Sequence, residues 1–497
     1  PFVTTWKTDN PGSSNDDQIT IPTTGTGYFY NVNWGDGMTD TGVTGDITHT
    51  YAAPGTYTVS ITGAFPRIYF NAGSFLPDKD AQKILTVEQW GDVKWSSMAH
   101  AFSGCENLRI NAADAPDLSM VTDMTRMFYD AISLNDDINH WDVSNVTNMQ
   151  ELFADATVFN QPLDSWDVSS VTNMNEMFWF ARAFDQNIGS WSVDNVTNMA
   201  GMFAGASVFN QDISGWNTGQ VTTLNQTFAF ALAFNQDISG WNTSNVTNMN
   251  GVFDGAIAFN QDISGWNLTN VTTTARMFRG AIAFNNDITG IDVSNVTNMA
   301  GMFSGHPTFN QDISGWTVSA VTDMSDMFAG ASAFNQDISG WDVSAVRDFN
   351  AMFSNATSFN QPIGTWTLNP AFNIDMRSMF LSATSFDQDL SSWDVRNLAF
   401  AANMLNNSGL SVANYDNLLE GWSSQSPLKT NVQLGAAGLY YCKGITARGI
   451  LTSGPNNWII TDDGSKCISV FNGPDTSAPE ILDGQAQAID FGSTSTS

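Results

Sequence analysis

Apolar positions return on a fixed beat along most of this chain. Trp141, Trp166, Trp191, Trp216, Trp241 and Trp266 stand 25 residues apart, Ile291 takes the next place, and Trp316, Trp341 and Trp366 resume the series. A period of this length, held by bulky apolar residues, predicts supersecondary units that stack and share one continuous core. Within one period, Ile188, Trp191, Val193 and Val196 predict a short strand around the Trp and Val, which point to one side, with bends before and after it. Met199, Met202, Phe203 and Ala206 follow at steps of three, one and three, which places them on one face of a helix. Thr197 stands just before that segment, where its hydroxyl can cap a helix amide. Phe209 returns the chain to the next unit. The pattern therefore predicts an α/β repeat solenoid, with one short parallel strand and one short helix in each of about thirteen windings between residues 79 and 405.

The flanks have a different texture. Residues 1–78 hold short β-rich runs such as QITIPT and YNVNW between Gly, Asp and Thr turns, which predict an all-β immunoglobulin-like sandwich. Residues 406–470 lose the beat and read as a capping unit: a helix at Val412 to Trp422, a strand near Val432 to Leu434, a helix near Lys443 to Leu451 and a last strand at Trp458 to Ile460. Residues 471–497, rich in Ser, Thr, Gly and Asp, read as a linker or the start of a further module, so the natural chain is expected to continue. The opening at Pro1 without a methionine suits a processed, exported protein or an excised piece.

Two resemblances add to this reading. The order of the apolar positions resembles the leucine-rich repeat, and the wording FNQDISGW, then VSNVTNM and MF.GA, resembles the bacterial surface repeat of about 25 residues found in BspA-like proteins and Mycoplasma-type lipoproteins. That likeness implies an exported, repeat-built surface protein of the kind assigned to adhesion. The string NWGDG at Asn33 to Gly37, followed by His49, Tyr51, Pro54, Gly55, Tyr57 and Val59, resembles the polycystic-kidney-disease (PKD) type module, which implies a spacer or binding module.

Composition narrows the partners. Lys plus Arg number 17 against 49 Asp plus Glu, a net charge of −32, and such a surface repels phosphate backbones and anionic lipid. A solubility adaptation or a cationic ligand would each account for it. No stretch of about 18 apolar residues occurs, so no membrane-spanning segment is expected. Cys442 and Cys467 are spaced to close a disulfide at the end of the repeats, while Cys105 stands alone. Extracellular, surface-bound or secreted placement in a bacterium is the expectation.

Chemistry is carried by columns of repeated residues. Asp212, Asp237, Asp262, Asp287, Asp312 and Asp337 occupy one place in consecutive windings. They read either as turn caps bonded to nearby amides or as a row of Ca2+ sites, since calcium takes oxygen ligands from loops. The Met columns read as core filler, the Asn after each Phe as a structural ladder, and the recurring Asn-Val-Thr as a helix cap before a glycosylation sequon. Asn217, Asn242, Asn267, Asp292, Thr317 and Asp342, outward beside the predicted strand, are the candidate ligand-binding positions; their strip lacks aromatics and would bind weakly through many repeats. Ice binding is the lesser reading, because the Thr places in that strip are irregular. The four histidines are scattered, and no phosphate loop, metal-spaced Cys pair or nucleophile elbow occurs, so no enzyme is expected. The leading expectation is an adhesive surface-display protein that binds glycans or other surfaces, with no certain cofactor and no nucleic-acid partner. The alternatives are the non-catalytic targeting region of a larger secreted enzyme and a purely structural stalk.

Overall fold

Strand β1 (Phe2–Lys7) buries every second side chain, with Phe2 and Trp6 inward, because successive side chains of a strand point to opposite faces. It lies antiparallel to β6 (Thr56–Ala64), with Thr4 opposite Val59, and to β7 (Ile84–Gln89). With β3 (Phe29–Asn33), β4 (Thr39–Val43) and β8 (Arg109–Ile110) these strands form a six-stranded sheet of order β4-β3-β6-β1-β7-β8. β2 (Gln18–Ile21) and β5 (Ile47–Thr50) pair separately. In this computed structural model residues 1–71 and 79–467 are described; the segment 471–497, and the last residues of the expected cap, lie outside the described residues. The six-stranded sheet continues past residue 78, because β7 and β8 belong to it.

The pairing changes from antiparallel to parallel at β7–β8, where Thr86 faces Arg109 and Val87 faces Ile110. Parallel register then passes from one repeat to the next by single-residue bridges: Asp123 to Asn148, Asn173, Asn198, Thr223, Asn248, Thr273, Asn298, Asp323 and Asp348. Each bridge falls seven residues after the Trp column (Trp191 and Asn198, for example), in the stretch expected to begin a helix.

The α/β leucine-rich-repeat-like class is overturned by these windings. No α-helix occurs in any of them, a single 3-10 turn at Ile363–Thr365 being the one helical piece among their described residues; the two α-helices among the described residues are α1 (Val412–Ser423) and α2 (Ile445–Thr452), both beyond the repeats. No strand of more than one bridged residue occurs beside the Trp and Val positions of the regular windings either. The hydrogen bonds explain the difference. From Met199 to Ala206, the amides of Met202, Ala204 and Ala206 bond three residues back, to Met199, Gly201 and Phe203. The amides between them, of Gly201, Phe203 and Gly205, instead reach carbonyls of the next winding, those of Asn225, Thr227 and Ala229, at 2.7–2.9 Å. A helix would satisfy these groups within its own segment; here every second one binds windings together. Two left-handed positions per winding enforce the pattern, Gly201 (φ 62°) and Gly205 (φ 73°) in this one, Glu151 (φ 53°) and Asp155 (φ 57°) in an earlier one. Thr197 accordingly caps no helix.

The apolar columns close on one core. Phe203 and Phe228 stack at 5.7 Å and 8°, Phe209 and Phe234 at 6.1 Å and 4°, and within one winding Phe203 lies 4.1 Å from Phe209. The Trp rings are buried, and Trp216 and Trp241 stack at 6.2 Å. From Trp166 to Trp366 each indole N–H also donates to a carbonyl 28 residues back, Trp241 to Ile213 and Trp266 to Ile238 for example, whereas the Trp141 indole N–H at the head of the column is buried without a partner among the described residues. Burying one such side chain is worth roughly 1.5–3 kcal/mol, so stability is spread along the repeats.

β9 (Ile374–Asp375) and β10 (Leu398–Phe400) pair in parallel, as do β11 (Gln433–Gly435) and β12 (Ile459–Thr461). The Ser411 hydroxyl caps α1 by accepting from the Asn414 amide, and Trp422 on α1 donates to the Leu390 carbonyl at 3.0 Å, taking over the role of the Trp column. The buried Asp416 carboxylate accepts the amides of Cys442, Lys443 and Gly444, which fixes the start of α2. Cys442 and Cys467 are joined by a disulfide, and Cys105 is buried.

Candidate functional site

The repeated surface is built at turns. Asn217, Asn242, Asn267, Asp292, Thr317 and Asp342 are all exposed and lie between the buried Trp and the next buried side chain, one per winding. Most have one acceptor already committed: Asn242 Oδ1 accepts the Ser244 amide at 3.1 Å, Asn267 that of Thr269 at 2.9 Å, Asp292 that of Ser294 at 2.9 Å and Asp342 that of Ser344 at 3.0 Å. These are short side-chain turns, which hold each carbonyl or carboxylate in a fixed direction.

The Asp column has the same construction. Asp212, Asp237, Asp262, Asp287, Asp312 and Asp337 accept the amide two residues on, at 2.8–2.9 Å. Those amide bonds hold the carboxyls of Asp212 to Asp312 below the usual carboxylate range; for Asp337 the Ser339 side chain leads. Neighbouring carboxylates act in the opposite sense, Asp212 on Asp237 for example. Among the described residues no group of three His, Cys, Asp or Glu side chains is arranged to hold a metal ion.

A second repeated surface was not singled out from the sequence. Thr147, Thr172, Thr197, Thr222, Thr247, Thr272, Thr297 and Thr322 are exposed in an unbroken series. Each donates both its amide and its hydroxyl to the carbonyl of the Thr one winding earlier; for Thr222 the two bonds to Thr197 are 2.9 and 3.0 Å. The Asn two residues before is pinned likewise, Asn245 Nδ2 to the Gly219 carbonyl at 2.7 Å and Asn295 Nδ2 to that of Thr269 at 2.8 Å. The recurring Asn-Val-Thr was the signal, and reading its Thr as a helix cap concealed it.

A family model described as "Mycoplasma protein of unknown function, DUF285" matches residues 96–216, 201–316, 276–374 and 371–432, more than half of the chain. The chain belongs to the DUF285 family. The matched residues contain the Trp, Asp and Thr columns, so the repeated surfaces lie within the DUF285 repeats. No curated protein matches the chain.

Proposed function

We propose that this DUF285 repeat protein is a non-catalytic, extracellular adhesive or surface-display protein, which meets glycans or another surface through its repeated faces. One observation carries the reading: polar side chains held by hydrogen bonds recur along the repeats, at most of the positions from Asn217 to Asp342 and in every winding from Thr147 to Thr322. Individually weak contacts at fixed spacing gain strength by multivalency when the partner is itself periodic. The absence of aromatic anchors from the candidate positions argues for many weak contacts rather than one tight one. The PKD-like resemblance near the start supports placing these repeats outside the cell. Ca2+ enters as a proposal at the Asp column, where the second carboxylate oxygens would face the ion.

An array of glycans and matrix proteins, probed with the whole chain in Ca2+ and again in EDTA, tests this. Binding that weakens as windings are removed is the expected outcome. A chain that binds nothing on the array would leave the stalk reading, and a melting temperature unchanged by EDTA would remove calcium.

A further inference from the structure

The 25-residue beat of the Trp column lengthens after Trp366, which stands 27 residues before Trp393. The extra residues form the loop Asn369–Pro370–Ala371, and a cleft of about 400 Å³ opens between this loop, Arg396 and Asn397 of the next winding, and Pro427 to Lys429 of the cap. Its local charge is unlike that of the rest of the molecule. Lys429 is half-buried in the wall, and its ammonium makes no ion pair or hydrogen bond with any described residue. Its backbone is fixed, because its carbonyl accepts the Trp458 indole N–H at 2.8 Å. Arg347 lies beside the loop, its guanidinium 4.0 Å over the ring of Phe372, and makes no ion pair with a described residue. Two acids of the same quarter are already neutralised, Asp375 by Arg377 at 2.6–3.0 Å and Asp394 by Arg396 at 2.5–3.1 Å, while Asp348 beside Arg347 has no ion pair among the described residues.

An ammonium in a cleft wall without a counter-charge is free to take an anion from outside as its charge-assisted partner. Pro370, Pro427 and Leu428 supply apolar wall for the carbon face of a ring, while Asn369 and Asn397, whose side chains hold the loop through the Ala371 amide and the Pro370 carbonyl, line the polar side. Arg347 also ends the exposed Thr series, since its amide donates to the Thr322 carbonyl at 2.9 Å, so a chain lying along that series runs toward the cleft.

We propose that this cleft binds an acidic sugar residue, its carboxylate or sulfate ester paired with Lys429, while Arg347, beyond the loop on Phe372, adds positive potential nearby. The proposal rests on the adhesive reading and deepens it: the partner surface is an anionic polysaccharide, held at one charged site and steadied by the repeats. The overall charge of −32 repels free polyanions over most of the surface, so binding here depends on the local positive charge.

The test is calorimetric titration of the whole chain, at low salt, with galacturonate oligomers, sulfated galactan oligomers and neutral galactan oligomers. At least one acidic series is expected to bind and the neutral series not to; which acidic series binds identifies the oxyanion. Lys429→Gln should weaken binding about tenfold or more, as loss of a charge-assisted bond does, and Arg347→Gln should weaken it less. Arg182→Gln, which removes a cation stacked on Phe180 far along the repeats, should leave it unchanged. Matching melting curves for the variants would show that folding is intact. Equal binding by wild type and Lys429→Gln, or no acidic oligomer bound at millimolar concentration, overturns the proposal. If neutral glycans on the array still bind in that case, adhesion stands without this site.

Discussion

At the scale of single residues, one winding departs from its columns twice. Ile291 stands where the others have Trp, and His306 where they have Ala. The first change removes an indole donor, so the Ile263 carbonyl keeps only the amide of Trp266, while Ile238 and Ile288 each accept an indole as well. The second puts an ionisable ring in the core. His306 is fully buried, its Nε2–H donates to the Phe284 carbonyl at 2.8 Å, and its Nδ1 is buried without a hydrogen-bond partner. Burial pushes its pKa below the ordinary His value. The nearest acids of the flanking turns, Asp287 and Asp312, are exposed and bonded to Thr289 and Ser314, so neither supplies a counter-charge. A His with a depressed folded pKa takes up its proton more readily when unfolded, so stability is complete above the unfolded value of about 6.5 and falls as pH drops below it. Urea unfolding at pH 7 and pH 5 should therefore show a smaller acid loss in His306→Ala than in wild type. Equal losses in the two proteins would remove His306 from the acid response, leaving His100, whose pKa burial also lowers.

At the scale of elements, the apolar beat made the stacking and the Trp, Phe and Met columns legible, and the cap's elements fall close to the positions expected from its pattern. What failed was the local structure. Steps of three, one and three among Met199, Met202, Phe203 and Ala206 fit a helical face, but they equally fit successive turns that bring the same side chains inward. The deciding signal was the pair of glycines four apart, Gly201 and Gly205, and it is diluted because other windings place Glu151, Asp155, Gln226 or Phe230 in the same left-handed conformation. The Asn–Thr surface was missed for the same reason, since a Thr that caps a helix would not form a ladder. At one pair of windings the choice of residue is set by the neighbour: Phe230 covers Gly255, and a Cβ added to Gly255 would lie 2.6 Å from its ring. With φ at +67°, Gly255→Ala should cost about 1–2 kcal/mol from the backbone alone and more from the clash. Adding Phe230→Ala, which removes the ring but keeps a Cβ at that left-handed position, should recover the steric part, leaving the backbone part. Denaturant unfolding of the single and double variants measures both, and a double variant no more stable than Gly255→Ala would show that the ring does not set the requirement.

At the scale of the whole molecule, each bond between windings is made to a column rather than to an individual. Thr247 uses the carbonyl of Thr222 as Thr222 uses that of Thr197, and Trp266 uses Ile238 as Trp241 uses Ile213. Removing residues 217–241 would therefore join Trp216 to Asn242 and hand every interrupted bond to an equivalent partner. Where units contact only their neighbours, stability is close to a sum of unit and interface terms, so the loss should be one winding's share and not collapse. Small-angle scattering should find the shortened chain folded and about 5 Å shorter, one spacing between paired backbones. Urea unfolding should give a smaller slope, in proportion to the surface no longer buried. Removing residues 217–228 instead would set polar turn residues against the Phe and Met columns, and that chain should aggregate or unfold. If both deletions fail alike, the windings are not interchangeable, and register must be set by the two ends, by β7 with β8 at one and by α1 with its Trp422 at the other.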